Sequence, residues 1–599
     1  MKEIVFDIET DGFLEELTKT HCLVLRDANT DEVISCADQP GYVPIEKGLE
    51  VLHEADSIIG HNILDFDLPA LQKVYPTFKT KAKMYDSLII SRLIWASLAL
   101  DDTIMRKSLP KDLVGRHKLE AWGHRLGNSK GDFKGPWDTW TPEMQEYCVQ
   151  DVNVNTELWK LIKKQDYSEQ AIELEQKFAL YTYEQMRQGM PFNTDAAKAL
   201  YEQLLEERIP IEQRIQAHIP PRVEEIPFTP KSNNSRYGYQ KGVPTTKKKR
   251  IIFNPGSRKQ IAEFLQEKYK WEPVDFTEKG NIKVDHEVLE NLPYPEAQLF
   301  DQYLTVKKLC GQIAEGDKAW LKLTREGRIY GSVNHNGART GRCTHSGPNL
   351  AQIPRLGSFK GEECRSLFIT PPGADLIGCD AKGLELRNLA HYLYKYDGGK
   401  YAEEILQGDI HTKNQQAAGL PDRDTAKRFI YAHNYGAGDA KLGSIINPTV
   451  SADRQKQLGK EARRAFAAKI EGMGALLEDV RAIHKLRGWF RGLDGRRLKS
   501  VSAHSALNTI LQGAGAIVMK HASVLFWDWV QYENIQEFVK LALHVHDEYQ
   551  VINYKPEIVS SDWIGQQMAR AIEQAGAHFD FNIPLEGDYK IGKHWAETH

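Results

Sequence analysis

In the segment IVFDIET the strand period of two puts Asp7 and Glu9 on one face and Phe6 and Ile8 on the other. Two carboxylates side by side repel unless a cation lies between them, so the pair is a candidate hard-metal site. The alternative is a solvated edge strand, apolar inside and acidic outside. A second acidic pair, Asp547-Glu548, interrupts LALHVHDEYQV, where Leu541, Leu543 and Val545 alternate as in a strand. It reads either as a polar hairpin tip or as a metal site. Neighbours on a strand point opposite ways, so the two acids need not act together. Asp380 closes the strand-like run ADLIGCD, before a turn at Gly383 and a helix opening near Glu385. Alone, Asp380 could be a helix N-cap, the commoner explanation for an Asp in that place. In PDRDTAKRFIYAHNYG, Arg423, Lys427 and Tyr431 fall at i, i+4 and i+8, one stripe on a helix. Two cations and an aromatic in a row suit a nucleoside triphosphate, with the cations on phosphates and the ring against sugar and base. A solvated basic face is the alternative, and the aromatic-and-glycine ending IYAHNYGAG speaks against it.

The elements that must position these groups change along the chain. Residues 1–165 alternate strand-like and helical segments, ending in the helical MQEYCVQDVNVNTELWKLIKK. From about 166 the pattern turns to long amphipathic helix, the mark of a new module. Residues 218–253 are rich in Pro, Ser, Asn and Lys, with no acid from Ile226 to Ala262, and read as a basic loop or partly ordered insertion. Beyond 256 helices dominate, with strand-like runs near 330–380 and 541–552. At 599 residues the chain needs two to four domains. Net charge is −4, so any nucleic-acid partner must be met by a local basic cleft and not a global field. The seven cysteines are scattered with no CxxC pair, which argues against a zinc knuckle or disulfide framework and for a reducing, cytoplasmic setting. MKEIVFDIET lacks a signal-peptide pattern and no uninterrupted apolar run approaches membrane length, so no membrane association is expected.

Two resemblances then emerge. Asp7-x-Glu9, Asn62-x3-Phe66-Asp67 and Tyr147-x3-Asp151, in that order, resemble the three motifs of the DEDD 3′–5′ exonucleases in their tyrosine subtype. The resemblance implies that Asp7, Glu9, Asp67 and Asp151 hold two Mg²⁺ and that Tyr147 orients the attacking water. The motif R-x3-K-x3-[FY]-x3-Y-G, here Arg423, Lys427, Tyr431, Tyr435 and Gly436, resembles the fingers helix of family A DNA polymerases. CDAKGLELR and HVHDE are similar to that family's motifs A and C. TGRCTHSGPNLAQIP and GLDGRRLKSVSAHSALNTILQGAGA are similar to its primer-template segments. AEGDKAWL, GDIHTKNQ and KLEAWGHRLG look like replicative polymerases of short-tailed phages of the T-seven group.

The implied fold is α/β plus α+β: an RNase H-like 3′–5′ exonuclease domain (1–165), then a right-hand polymerase domain. The latter comprises thumb (166–330, with the insertion at 218–253), palm (331–410 and 486–599) and fingers (411–485). The implied function is a template-directed replicative DNA polymerase with proofreading, using two Mg²⁺ per site, for which Mn²⁺ can substitute. Asp380 and Asp547, with Glu548 secondary and the Ala381 carbonyl, would hold the metals. Lys427, Arg423 and His411 would bind the dNTP triphosphate, with Lys427 as proton donor to pyrophosphate. Glu385 and Tyr431 would bound the sugar and exclude a 2′-hydroxyl, and Tyr435 would stack near the templating base. Arg342, Gln512 and His546 would meet the primer terminus and minor groove. Lys247, Lys248, Lys249 and Arg250 would touch duplex DNA. Primer-template DNA and dNTPs are the expected partners, with a replicative helicase and single-strand binding protein beside them. The insertion is shorter than the loop with which the phage relatives capture thioredoxin, so thioredoxin is not expected as processivity factor. Lys382 stands where the family often has Ser, and the sequence assigns it no role. A host-type repair polymerase, or an exonuclease with a DNA-binding C-terminal scaffold, are the competing readings.

Overall fold

The alternation in EIVFDIET builds β1 (Glu3–Thr10), the central strand of a five-stranded sheet with β2 (Thr20–Asp27), β3 (Val33–Cys36), β4 (Ser57–Gly60) and β5 (Lys83–Asp86). The structure is a computed structural model that describes residues 2–599 except 106–108, 130, 274–275 and 278–279. The order is β3-β2-β1-β4-β5; β1 runs antiparallel to β2 and parallel to β4. Helices α1 (Asp67–Val74), α2 (Ser87–Ile94), α3 (Pro142–Lys163) and α4 (Glu169–Gln188) follow. Pro142 in the first turn and the Thr141 hydroxyl, which accepts from the Met144 amide, start α3, which crosses β1 and β2.

The chain divides into two compact units: Met1–Pro191 with Tyr330–Ala437 and Ala462–His599, and Phe192–Ile329 with Gly438–Glu461. The first unit thus runs past residue 166 and as far as Pro191. The cause is α4, which buries two faces and leaves a stripe through Glu173, Lys177, Leu180 and Glu184 exposed. Its Ala179 and Tyr183 join the core beneath β1, while Leu174, Phe178 and Tyr181 join the core of the C-terminal sheet. A helix with two buried faces belongs to both cores and starts no new module. The expected fingers, 411–485, are likewise interrupted. Residues 438–461 belong to the second unit, where Lys441 pairs with Glu287 at 2.6 Å.

The second unit holds α5 (Thr194–His218), a two-stranded antiparallel ribbon of β6 (Arg222–Phe228) and β7 (Thr245–Ile251), and α6 (Pro295–Cys310). Residues 218–253, which the sequence reads as loop or partly ordered insertion, hold both strands of this ribbon. The register sets Glu224 opposite Lys249 and Glu225 opposite Lys248, so each of these lysines meets an opposite charge, and not a like one, across the ribbon.

Returning to the first unit, β8 (Ser332–Asn334) pairs with β9 (Thr344–Ser346). Next come β10 (Asp375–Ala381), α7 (Leu384–Asp397), α8 (Ile410–Ala418) and α9 (Arg423–Asn434). The hairpin β11 (Trp489–Arg491) and β12 (Arg497–Lys499) precedes α10 (Ala506–Tyr532). The chain ends with β13 (Val539–Val545), β14 (Glu548–Asn553), α11 (Ser561–His578) and β15 (Gly587–Gly592). Strands β13-β14-β10-β15 form one antiparallel sheet. By length and composition α10 could cross a membrane, yet 83% of its most apolar window is buried in the fold, which makes it a core helix.

Candidate functional sites

Two clusters of carboxylates occupy the first unit. In the first, β1 holds Asp7 and Glu9 half-buried on one face, as the strand period requires, while Phe6 and Ile8 are buried on the other. From α3, Tyr147 and Asp151 turn toward them and, with Asp7, line a cleft of about 960 Å³. Asp67 opens α1 and is 4% exposed; burial, together with the charges of Asp86 and Asp151, pushes its carboxyl up to about 7. Cys148 brings its sulfur within 4.8 Å of the Asp7 and Glu9 oxygens. Burial drives that thiol well above its ordinary range, so it stays protonated and donates to the Asp7 carbonyl at 3.4 Å. The remaining donors are carboxylates, hard oxygens crowded until one of them tends to keep a proton. That set fits a hard divalent cation.

Asp86 is a residue that sequence reasoning missed. Fully buried and pushed up to about 6 by that burial, it caps α2 and accepts from the Asn62 and Leu64 amides at 3.0 and 3.1 Å. It thereby fixes the loop that delivers Asp67, in which Asn62 takes φ +74°. The available signal was an Asp directly before the apolar run SLIISRLI.

The second cluster is built by strand register. Asp380 on β10 lies opposite Glu548 on β14 and Asp588 on β15, so three carboxylates stand in a row on one sheet face. Asp588 was not singled out from the sequence. Asp547 occupies the β13–β14 turn, and its carbonyl accepts from the Ala381 amide at 3.0 Å, holding the turn beside the end of β10. Burial, then the charges of Asp547 and Glu548, push Asp380 up to about 7. Asp380 is not a helix cap: Gly383, at φ +59°, takes that position before α7. Leu386, Leu389, Ala390 and Leu393 form the buried face of α7 that the sequence pattern marks.

Glu548 differs from its neighbours. Trp595 Nε1 and Gln550 Nε2 donate to Oε1 at 2.5 and 2.6 Å, and His599 Nδ1 lies 2.5 Å from Oε2. Burial raises its carboxyl, but His599, Arg365 and Trp595 outweigh that and hold it below the usual range. Both oxygens are engaged by protein groups, which fits a supporting role better than a metal-ligand one. Lys382 pairs with Glu586 at 3.2 Å, and its amide donates to the Glu586 carbonyl; it pins the chain that enters β15.

Asp422 caps α9 by accepting from the Thr425 amide. Arg423 and Lys427 are exposed on one side and Tyr431 half-buried below them, while Ala426, Phe429 and Ile430 bury the other side. His411 on α8 sits in their field: burial, Arg423 and Lys427 lower its pKa. Arg423 bonds Asp409 at 3.0 Å in the open, an exposed pair that an anionic ligand displaces at little cost. Burial and then the Glu385, Asp547 and Asp380 carboxylates raise the Tyr431 pKa, so its ring faces the acidic row. Glu385 accepts from the Tyr435 hydroxyl, not from Tyr431, and lies 3.6 Å from Arg342. His546, at φ +59°, is near enough to Arg342 to be lowered by it after burial. Gln512 is half-buried on α10. Lys247, Lys248, Lys249 and Arg250 lie on β7 of the other unit.

Known proteins match this chain in sequence and fold. The family model for DNA polymerase family A matches residues 242–597. A DNA-directed DNA polymerase of Escherichia phage T7 is 35% identical across the whole of both chains. DNA polymerase I of Pseudomonas aeruginosa is 29% identical over 58% of this chain and 39% of its own. Among solved structures, the POL domain of Pol1 from M. smegmatis in complex with DNA primer-template and dNTP superposes with a TM-score of 0.71 at 16% identity. That match covers 99% of this chain and 95% of the other.

Proposed function

The chain belongs to DNA polymerase family A and is a DNA-directed DNA polymerase; from that premise we propose that it is a two-site replicative enzyme that also proofreads by 3′–5′ exonuclease action. The first cluster would degrade a mispaired 3′ end and the second would extend a paired one. The carrying observation is geometric: both carboxylate sets sit in one compact unit, each on a central strand and each crowded enough to raise a carboxyl to about 7.

At the extending site, Asp380 and Asp547 would hold two divalent cations, Mg²⁺ by the chemistry of the donors, assisted by the Ala381 carbonyl. These ions supply activation of the primer 3′-hydroxyl and neutralisation of the triphosphate. The protein's own part is positioning and charge, because phosphoryl transfer offers it little covalent work. Arg423, Lys427 and His411 would grip the triphosphate, and the Lys427 ammonium would pass its proton to departing pyrophosphate. Glu385, held by Tyr435 and facing Arg342, would form with Tyr431 the wall beside the incoming sugar. Arg342, Gln512 and His546 would contact the primer-terminal minor groove, and Tyr435 would lie near the templating base. The sheet β13-β14-β10-β15 would serve as palm, α8 and α9 as part of the fingers, and 192–329 as thumb, whose ribbon stem (Lys247, Lys248, Lys249, Arg250) would touch duplex DNA.

At the degrading site, Asp7, Glu9, Asp67 and Asp151 would hold a second pair of cations and Tyr147 would orient the attacking water. Asp7→Ala with Glu9→Ala tests this directly. With a labelled primer-template, extension with dNTPs is expected to persist and shortening without dNTPs to fall at least about 10³-fold. Loss of both activities in a folded variant would overturn the two-site reading.

A further inference from the structure

The ribbon of the second unit carries its charge unevenly. In the stem, Lys248 and Lys249 face Glu225 and Glu224 across the strands. Beyond Phe228 and before Thr245, the tip holds Lys231, Arg236 and Lys241 and no acid. Two aromatic rings lie among those cations. Tyr237 and Tyr239 stack with centroids 5.7 Å apart and planes 20° apart, and Phe228 meets Tyr239 edge-on at 4.9 Å. The Arg236 guanidinium is 5.8 Å from the Tyr237 ring, which is 61% exposed.

The tip is also ordered by its own bonds. Asn234 and Tyr239 exchange backbone hydrogen bonds at 2.8 and 2.9 Å. Asn234 Oδ1 accepts from the Arg236 amide at 3.1 Å, and Asn233 Oδ1 from the Lys241 amide at 2.7 Å. Gly238 supplies the left-handed turn at φ +68°. The rings are thus presented in a fixed geometry, and little ordering cost remains for a ligand.

We propose that this tip, residues 231–241, is a binding element for single-stranded DNA, distinct from both active sites and from the duplex contact assigned to the stem. Three cations without an acid suit a phosphate backbone. An exposed ring, Tyr237, backed by the half-buried Tyr239 stacked on it, suits an unpaired base, whose π-face is open to any ring. Duplex DNA hides its base faces and would leave the tyrosines unused; an acidic protein tail would use the cations alone.

The test uses the full chain in EDTA, with an oligo(dT) bearing 5-iododeoxyuridine. Photocrosslinking is expected to map to Tyr237 or Tyr239. Tyr237→Ala with Tyr239→Ala is expected to weaken oligo(dT) binding about tenfold, as loss of one or two stacked bases does. Tyr237→Phe with Tyr239→Phe should retain binding, which separates stacking from folding of the tip. Arg236→Ala with Lys241→Ala should lower the salt slope by about 0.7 per cation removed. Blunt duplex binding in EDTA, and primer extension on a short template in a separate Mg²⁺ buffer, should stay unchanged in all of these. The proposal fails if crosslinks avoid both tyrosines, if the Ala pair leaves oligo(dT) binding intact, or if the Phe pair loses it. It also fails if duplex binding falls equally, or if an acidic peptide is held at the tip while oligo(dT) is not.

Discussion

Asp380 shows how a crowded, buried carboxylate works against stability. Its carboxyl rises from the usual 3.8 to about 7 because it is buried beside Asp547 and Glu548. A carboxyl with a raised folded-state pKa favours the folded state only while protonated. The penalty therefore develops as pH climbs past about 4 and is complete above about 7. Asp380→Asn removes the charge with little change in shape. In metal-free buffer the variant is expected to unfold at a higher urea concentration than the parent at pH 8, by about 2–4 kcal/mol. The gain should vanish near pH 4. Extension should be lost and 3′ shortening kept. A variant less stable at pH 8, or one that loses shortening, would show that Asp380 is not a crowded ligand of the extending site. Residue by residue, the sequence made the ligand candidates legible because catalysis forces carboxylates into apolar strands. It did not separate Asp547 from Glu548 by environment. The donors that engage Glu548 come from Trp595 and His599, far along the chain, and only folding brings them there.

At the level of elements, local patterns succeeded where one segment determines its own shape. The β13–β14 hairpin follows from alternation, and the α7 and α9 faces follow from helical spacing. They failed where partners across space decide. The ribbon read as loop or partly ordered insertion because the register that sets Glu224 and Glu225 opposite its lysines is fixed only on pairing. The hairpin turn gives an element-scale prediction. His546 sits at φ +59°, where a β-branched side chain is strained and glycine is not. His546→Val is expected to be about 1–2 kcal/mol less stable than His546→Gly in urea melts. Because the same turn carries Asp547, His546→Val should also cut the extension rate more than His546→Gly does. Equal stability of the two variants would mean that the turn relaxes out of the left-handed region without consequence.

Across the molecule, the unexpected feature is that the two carboxylate clusters share one compact unit, which also holds a buried ionic group on α4. Glu175 is fully buried, with Lys520 at 2.6 Å, His335 at 2.9 Å and Arg496 at 2.9 Å; Arg496 also pairs with the buried Asp494 at 2.7 Å. Burial pushes the Glu175 carboxyl up, but Lys520, Arg496 and His335 outweigh it and hold it far below the usual range. Burial keeps His335 low, hence neutral, so two carboxylates balance two cations. Sequence spacing could not show this, since the partners come from residues 175, 335, 494–496 and 520. The group's depressed carboxyl makes its stabilisation complete above the ordinary glutamate range, and lost only as pH falls toward the folded value. Glu175→Gln leaves one cation uncompensated and is expected to cost about 3–5 kcal/mol. Since α4 is packed into the cores of both sites, extension and shortening should fail together on heating, with one midpoint for both activities. Adding Lys520→Met to Glu175→Gln restores charge balance with an apolar chain of similar length. The double variant should recover more than half of the lost stability, because an unpaired buried charge costs more than a removed pair. Separate midpoints for the two activities in Glu175→Gln, or a double variant no more stable than the single one, would show that α4 does not join the two sites through this balance.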